Sequence, residues 1–213
     1  MKKAIILSLA FVFAAGCNSV YYNTMEKFGN PKREILVDRV EGTRDSQQIA
    51  KAQFTTALEK FKSVVDINSS SLLEEKYELF KDELKKSESQ ANSLYKQIDS
   101  VEDVADALFE EWESELAQYS SAEMRAASRK QLDQTKQKYA QMLNAMQKAQ
   151  GKMEPILAVF RDQVLFLKHN LNAQAIASIR GKFTSVEADI NQLVAEMNKS
   201  IAEADSFIKA MKE

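Results

Sequence analysis

The chain has 213 residues, of which 28% are charged, and a formal net charge of −2. Proteins that bind nucleic acid concentrate an excess of Lys and Arg on one surface, so we expect no nucleic-acid partner. Only 5 Gly and 2 Pro occur, which predicts few turns and long uninterrupted elements.

The first residues have the pattern of an export signal. Two lysines follow Met1, and an apolar run then covers residues 4–13. Small residues at 14–16 come next and precede Cys17. The apolar run is much shorter than the roughly 20 residues that a membrane-spanning helix needs. We therefore predict a lipoprotein signal peptide over residues 1–16.

Cys17 is the only cysteine of the chain. Its position after small residues resembles the lipobox of bacterial lipoproteins, in which the cysteine becomes the new N-terminus and carries acyl chains such as palmitate. The resemblance implies lipidation of Cys17, and Asn18 at the next position implies an outer-membrane anchor on the periplasmic side. The alternative is an ordinary secretory signal followed by a chance cysteine.

Residues 17–30 form the predicted lipidated N-terminus and tether. They include Tyr21, Tyr22, Met25 and Phe28. Such side chains suit the headgroup zone of a membrane beside a lipid anchor. Alternatively, they cover the end of the folded domain, and the sequence leaves both interpretations open.

Residues 31–213 form the predicted helical bundle domain. Apolar and small residues recur at alternating intervals of three and four, from Leu36 to Val64, Leu73 to Trp112, Leu132 to Leu167 and Ile176 to Met211. This heptad spacing predicts four helices with a left-handed supercoil. Short connections make successive helices antiparallel neighbours. The predicted fold class is all-α, an elongated antiparallel four-helix bundle or coiled coil of long helices.

The helix ends are predicted from local signals. Pro31 suits a helix start, and the first helix is predicted to end at Asp66. Capping boxes at 71–74 and 120–123 indicate the starts of the second and third helices. Because the first helix is shorter than the second, we expect it to end level with Val101 and to leave a thinner hairpin tip beyond it.

Charge patterning predicts how the second and third helices pair. The second helix has eight acidic residues and no basic one between Asp99 and Glu115. Folding about Ser120 sets these acids against bases of the third helix, and the predicted pairs are Glu111–Arg129, Glu115–Arg125 and Glu102–Lys138. Such pairs are individually weak, but they select the partner helix and its direction. The alternative is an acidic face that binds a partner.

Two candidate sites lie in the third helix. The ring of Pro155 conflicts with the carbonyl of Gly151, so these two residues form a predicted hinge. It lies beside a layer of small residues that indicates close packing or a small cavity. Further along, apolar residues also occur outside the heptad positions, and those that form a predicted partner-binding patch are Leu157, Val164, Leu165 and Phe166. A helix that is apolar on most sides is alternatively central in a bundle.

The sequence contains few residues that could catalyse a reaction or bind a metal. His169 is the only histidine, and its predicted place near a helix C-terminus suits a dipole partner or cap. The sequence has no Glu-x-x-His pair for a di-iron site, too few ligands for zinc, and no loop that presents a nucleophile. We therefore expect no metal, no cofactor and no enzyme activity.

Two longer stretches resemble a known family. Residues 21–29 (YYNTMEKFG) with 32–40 (KREILVDRV), and residues 153–155 (MEP) with 162–173 (DQVLFLKHNLNA), are similar to an uncharacterised family of Gram-negative lipoproteins. The resemblance implies helicity and an envelope location, and it supplies no activity or functional residue.

The predicted function is therefore structural. We expect a membrane-anchored periplasmic adaptor of the cell envelope that binds an envelope protein or associates with itself. The alternative is a carrier that holds a lipid or another apolar ligand within the bundle.

Overall fold

The computed structural model describes Tyr22, residues 31–66 and residues 72–212. Within these ranges the chain forms four long helices and no strand, which confirms the all-α prediction. A 3-10 turn, Leu116–Gln118, follows the second helix. The four helices are α1 (Lys32–Val65), α2 (Leu73–Glu115), α3 (Ala122–His169) and α4 (Ala173–Lys212).

The helices form an antiparallel bundle in which each packs beside its neighbours in sequence. α1 contacts α2 and α4, and α3 contacts the same two helices, so α1 and α3 lie diagonally opposite. With 48 residues in α3, the rod is about 70 Å long at about 1.5 Å per residue. We call the end at which α1 begins the proximal end. The opposite end, at which α3 ends and α4 begins, is the distal end.

The heptad positions face the core as predicted. Nearly all of them are buried, and the half-buried exceptions are Trp112, Thr135, Gln163 and Phe183. Three fully buried rings fill the distal half: Phe80 lies 5.1 Å from Phe61 and 5.2 Å from Phe160 between ring centroids. Full burial of each such ring stabilises the fold by about 1.5–3 kcal/mol.

Polar side chains in the core are hydrogen-bonded in pairs. The Gln47 amide nitrogen donates to the Ser200 hydroxyl at 2.8 Å, and both side chains are fully buried. Further along, the Gln53 amide donates to the Glu83 carboxylate at 2.7 Å and to the Ser87 hydroxyl at 3.2 Å. These bonds link α1 to α4 and to α2, and they favour one register of the helices over its neighbours.

The pairing of α2 with α3 follows the predicted fold about Ser120. Phe80 faces Phe160, and the Trp112 indole N–H donates to Ser128 at 2.9 Å. Each of these pairs is equidistant in sequence from Ser120, so the predicted register is correct for these contacts.

The predicted ion pairs between the two helices are wrong in detail. Glu111 pairs with Lys32 of α1 at 2.7 Å, and Glu102 accepts a hydrogen bond from Gln147 at 2.9 Å. The acids of α2 do meet bases of α3, as in the 2.7 Å bridge from Lys136 to Glu113. The Glu102–Gln147 and Glu113–Lys136 contacts share a register nine positions away from the predicted one, so this flank of the helix pair does not follow the fold about Ser120.

Two predictions about the proximal end are also wrong. α3 is capped by Ser121, one residue after the predicted Ser120, because the Ser121 hydroxyl is the one that accepts from the Met124 N–H, at 3.2 Å. The uncovered tip also begins about ten residues later than Val101, since Lys32 at the start of α1 reaches Glu111. The two-helix tip is therefore short and spans residues 112–130.

Arginines from neighbouring helices cap both ends of the α1–α4 pair. The Arg180 guanidinium of α4 donates to the Val65 carbonyl at 2.7 and 3.0 Å, at the C-terminus of α1. At the proximal end, Arg33 of α1 donates to the Met211 carbonyl in the last turn of α4. Both arginines supply donors to carbonyls that a helix end leaves without an intrahelical partner.

Candidate functional site

The proximal end holds the start of the bundle domain. Tyr22 is 5% exposed and belongs to the hydrophobic core, so at this residue the structure supports packing against the bundle over contact with lipid headgroups. Tyr22 precedes Lys32 by ten residues, a span of at most about 35 Å. α1 is about 50 Å long, so Tyr22 does not reach the distal end. Cys17 lies outside the described residues.

Three exposed apolar side chains lie where α3 ends, and Leu72 and Leu79, at the start of α2, are exposed at the same end of the bundle. Leu165 is 63% exposed and Phe166 40% exposed on the last two turns of α3, and Leu171 is 38% exposed in the turn that follows. We call Leu165, Phe166 and Leu171 the distal surface. Asn170 and Asn172 hold the turn, because the Asn170 amide donates to the Phe166 carbonyl and the Asn172 side chain accepts from the Ala175 N–H.

The structure divides the predicted partner-binding patch. Leu157 is 1% exposed and packs in the core, so it is not part of any exposed patch. Val164 is half-buried and packs against the same core. Of the four predicted residues, Leu165 and Phe166 are the two that are exposed. Leu157 is turned inward because it lies one residue after the heptad position Ile156, beside the core-facing stripe of α3.

The predicted hinge residues lie on the solvent side of α3. The helix is continuous through Gly151 and Pro155, and both residues are exposed. A Cβ atom at Gly151 would meet no other atom within 4 Å. Proline has no N–H, so the Gly151 carbonyl has no donor four residues ahead. The helix therefore carries a weakened turn whose outward side is open.

The layer of small residues beside this turn is closely packed. Ser87, Ala91, Ala149 and Met153 are each at most 1% exposed. The Ser87 hydroxyl donates to the Glu83 carbonyl at 2.9 Å. The layer is therefore closed to solvent.

An ion-pair network fixes α3 to α2 next to the distal surface. Arg161 contacts Glu88 of α2 at 2.5 Å and Glu154 of α3 at 2.6 Å. The hydrogen bond from Arg161 lowers the pKa of Glu154 below its ordinary value of 4.5, and the two carboxylates raise the pKa of Arg161. The network joins α3 to α2, and its pairs are exposed, so each of them contributes little to stability.

Surface grooves occur along the bundle, and most of the residues that line them are polar. A groove of about 380 Å³ at the proximal end lies between α3 and α4 and is lined by Gln134, Lys138 and Phe207 among others. A second, of about 250 Å³, lies between α1 and α2 beside Asp38 and Lys96. Both are open to solvent, whereas sites for apolar ligands are concave and lined mainly by hydrophobic side chains.

The described residues contain neither a metal-binding cluster nor a membrane-spanning helix. No cluster of three or more His, Cys, Asp or Glu side chains there could hold a metal ion. Within the same ranges, no helix is long and apolar enough to cross a membrane. His169 is exposed in the last turn of α3, where a cation is favourable beside the helix C-terminus.

Several residues of the distal end were not predicted. Leu171 lies in a turn, where an apolar residue carries no periodic signal. Arg180 caps α1 from a position 115 residues away in sequence, and no local pattern identifies such a contact. Together, these features define the class of protein: a long antiparallel helical bundle with the distal surface exposed at one end.

The chain belongs to the family described as protein of unknown function DUF2959, whose model matches residues 21–211. The resemblance to an uncharacterised family is therefore confirmed. No curated protein matches the chain, and no solved structure does.

Proposed function

We propose that this protein is a lipid-anchored adaptor of the cell envelope. In this proposal Cys17 is acylated, the acyl chains sit in the outer membrane, and the bundle extends into the periplasm as a spacer. Its distal surface, formed by Leu165, Phe166 and Leu171, then contacts another envelope component. The proposal assigns no catalytic step and no cofactor.

One observation carries the proposal: the chain enters the bundle at one end, and Leu165, Phe166 and Leu171 are exposed at the other. α1 begins at the proximal end, where Lys32 contacts Glu111 and Arg33 contacts Met211. Leu165 and Leu171 lie at the distal end, about 50 Å further along the rod. An anchor at Cys17 would therefore hold the distal surface away from the membrane that anchors it.

The anchor is tested by labelling the full chain in cells with an alkyne-bearing palmitate analogue. We expect label on the parent chain and on a Ser19→Ala control, none on Cys17→Ser, and co-fractionation of the labelled protein with outer membranes. More than one acyl chain gives stable anchoring. Equal labelling of parent and Cys17→Ser would overturn the lipid anchor.

The adaptor role is tested against the carrier alternative by measuring what the protein retains. The Cys17→Ser chain is purified, extracted with organic solvent and analysed for lipids. We expect no stoichiometric lipid, because the core is filled by side chains such as Phe80 and Phe160. One bound lipid per chain, removed without loss of the fold, would replace the adaptor by the carrier.

A further inference from the structure

The hairpin tip projects beyond the rest of the bundle at the proximal end. α1 begins at Lys32, which contacts Glu111, and α4 ends at Lys212. From Glu111 to the turn at Ser120, α2 runs on beside α3 for nine residues, about 13 Å along the axis. We call residues 116–124, around this turn, the apex. Among the described residues, the apex lies furthest from the distal surface.

The proposed anchor is close to the apex because the chain between the anchor and the bundle is short. Tyr22 is 5% exposed and packs in the hydrophobic core. Cys17 precedes Tyr22 by five residues, which span at most about 18 Å. Since Tyr22 is buried in the bundle, it lies no further out than the apex. When the bundle stands upright on the membrane, as proposed above, the apex is therefore at most about 18 Å from the level of Cys17.

The tip carries side chains that suit the boundary between lipid and water. Met124 is 60% exposed at the apex, and the other exposed large apolar side chains of the described residues all lie further along the rod. Tyr119 and Trp112 are half-buried in the same tip. Trp and Tyr are favoured at membrane interfaces, because each has an apolar ring and one polar group. The flexible apolar side chain of a methionine adapts to irregular surroundings.

The tip has no net charge. Residues 112–130 contain three acidic and three basic side chains, so the tip is not drawn to anionic lipid by a long-range field. Arg125 and Arg129 are exposed on α3, within about two turns of the apex. Guanidinium groups form bidentate hydrogen bonds with phosphate, which every phospholipid headgroup carries. A contact between the tip and lipid therefore depends on the apolar side chain of Met124 and on local hydrogen bonds.

We propose that the hairpin tip is a second membrane contact, in which Met124 enters the headgroup layer of the bilayer that holds the acyl chains of Cys17. The inference rests on the proposed anchor at Cys17. One apolar side chain alone binds a bilayer weakly, but a short linker to the anchor holds the tip at an effective concentration on the order of millimolar. Two contacts at separate points fix the direction of the rod, so the distal surface points away from this membrane.

The first test measures the position of the apex relative to the lipid headgroups. The full chain, processed in cells, is reconstituted into vesicles of phosphatidylethanolamine and phosphatidylglycerol. The vesicles also contain a lipid with a spin-labelled headgroup, which quenches nearby tryptophan. Trp112→Phe removes the only native tryptophan, and Met124→Trp then places a single one at the apex. Ile49→Trp in the same background is the matched control, because Ile49 is 59% exposed in the middle of α1.

We expect the spin-labelled lipid to quench Met124→Trp several-fold more than Ile49→Trp, since Ile49 lies about 25 Å beyond the start of α1. Equal quenching of the two variants, in protein that floats with the vesicles in a density gradient, would overturn the tip contact and leave the anchor intact. Protein that does not float with the vesicles would overturn the anchor and this inference together. Unfolding curves of each variant check that the bundle is intact.

The second test keeps the native Met124 and reads the contact from a neighbouring position. Ala122 is exposed at the apex, so Ala122→Trp in the Trp112→Phe background is the reporter. Adding Met124→Asp should lower the quenching several-fold, because a carboxylate resists transfer out of water, whereas Met124→Leu should preserve it. Equal quenching with Asp and Leu contradicts the entry of Met124. Vesicles of phosphatidylcholine alone should give the parental quenching, and its loss there contradicts a contact made by an apolar side chain.

Discussion

The side chains of Gln47 and Ser200 form two hydrogen bonds with each other at the centre of the bundle. The Gln47 amide nitrogen donates to the Ser200 hydroxyl at 2.8 Å, and this hydroxyl in turn lies 3.0 Å from the Gln47 carbonyl oxygen. The residues are 153 positions apart in sequence and both are fully buried. Their pairing fixes α1 and α4 in one register.

Removing one member of this pair should cost more than removing both. Ser200→Ala leaves the Gln47 amide buried without a partner and should lower the free energy of unfolding by about 1–3 kcal/mol. Gln47→Leu with Ser200→Ala removes both polar groups and should lose less than the sum of the single variants. Urea unfolding of the three proteins measures these differences. Strict additivity would show that the two side chains do not interact.

The aromatic cluster should dominate the stability of the distal half. Phe160→Ala removes a fully buried ring that contacts Phe61 and Phe80, and it should lower the free energy of unfolding by about 3–5 kcal/mol. Phe166→Ala is the control on the same helix. Its ring is 40% exposed, so the loss should be about 1 kcal/mol or less. Similar losses for both variants contradict the burial seen here.

The arginine cap on α1 should protect the end of that helix. Arg180→Ala removes two hydrogen bonds to the Val65 carbonyl and should cost about 1–3 kcal/mol, since the lost donor is charged. Hydrogen exchange should accelerate in the last turns of α1, near Val65. Lys182→Ala, at an exposed site two residues away, serves as control. Unchanged exchange in both variants would leave Arg180 without a capping role.

The Glu154–Arg161 pair predicts a pH-dependent contribution to stability. The pKa of Glu154 is lower in the folded chain than its ordinary value of 4.5, because Arg161 donates to the carboxylate. A depressed pKa contributes stability that is present above the unfolded pKa and is lost as pH falls through the folded pKa. The effect is small, since the pair is exposed and screened by solvent.

The measurement compares unfolding of the parent and of Glu154→Gln from about pH 6 to about pH 2. We expect the parent to be more stable near the upper limit, and the difference to decline to zero in acid. Arg161→Gln should abolish the pH dependence of that difference. If the stability difference keeps its pH dependence in the Arg161→Gln background, a group other than Arg161 causes it.

The tip of the hairpin should respond locally to loss of its hydrogen bond. Trp112 is the only tryptophan, and its indole N–H donates to Ser128 at 2.9 Å. Ser128→Ala should shift the fluorescence emission of Trp112 with little change in global unfolding, because two helices alone form this region. Ser114→Ala removes a hydroxyl that donates only within its own helix, to the Glu111 carbonyl. It should leave the emission unchanged.

The helical fold could be predicted from the sequence because the heptad spacing indicates it directly. Residues such as Leu36, Phe54 and Met197 recur at the spacing of a coiled-coil core and are fully buried. The antiparallel pairing of α2 with α3 was also predicted, but its register only in part: Phe80 meets Phe160 as expected, whereas Phe109 meets Tyr139 eight positions away from the prediction. The heptad signal is repeated along the chain, so single exceptions such as Thr135 do not change the predicted fold.

The rest of the structure depends on contacts that local patterns do not encode. Glu111 pairs with Lys32, 79 residues away, because flexible charged side chains take whichever opposite charge lies within reach. Leu157 and Leu165 are equally apolar in sequence, yet one is 1% and the other 63% exposed. The two leucines lie on different faces of the helix relative to Ile156. The segment contains so many apolar residues that the sequence did not show which of them face the core.

The antiparallel packing of α1, with Arg33 at one end and Arg180 contacting the other, determines how the rod bears tension. A pull between the start of α1 and the distal surface acts along the helix axes. Side-chain contacts between α1 and its neighbours are then sheared together, whereas peeling a helix sideways breaks them one after another. In the proposed adaptor, the bundle would therefore resist a load along its axis better than a sideways one.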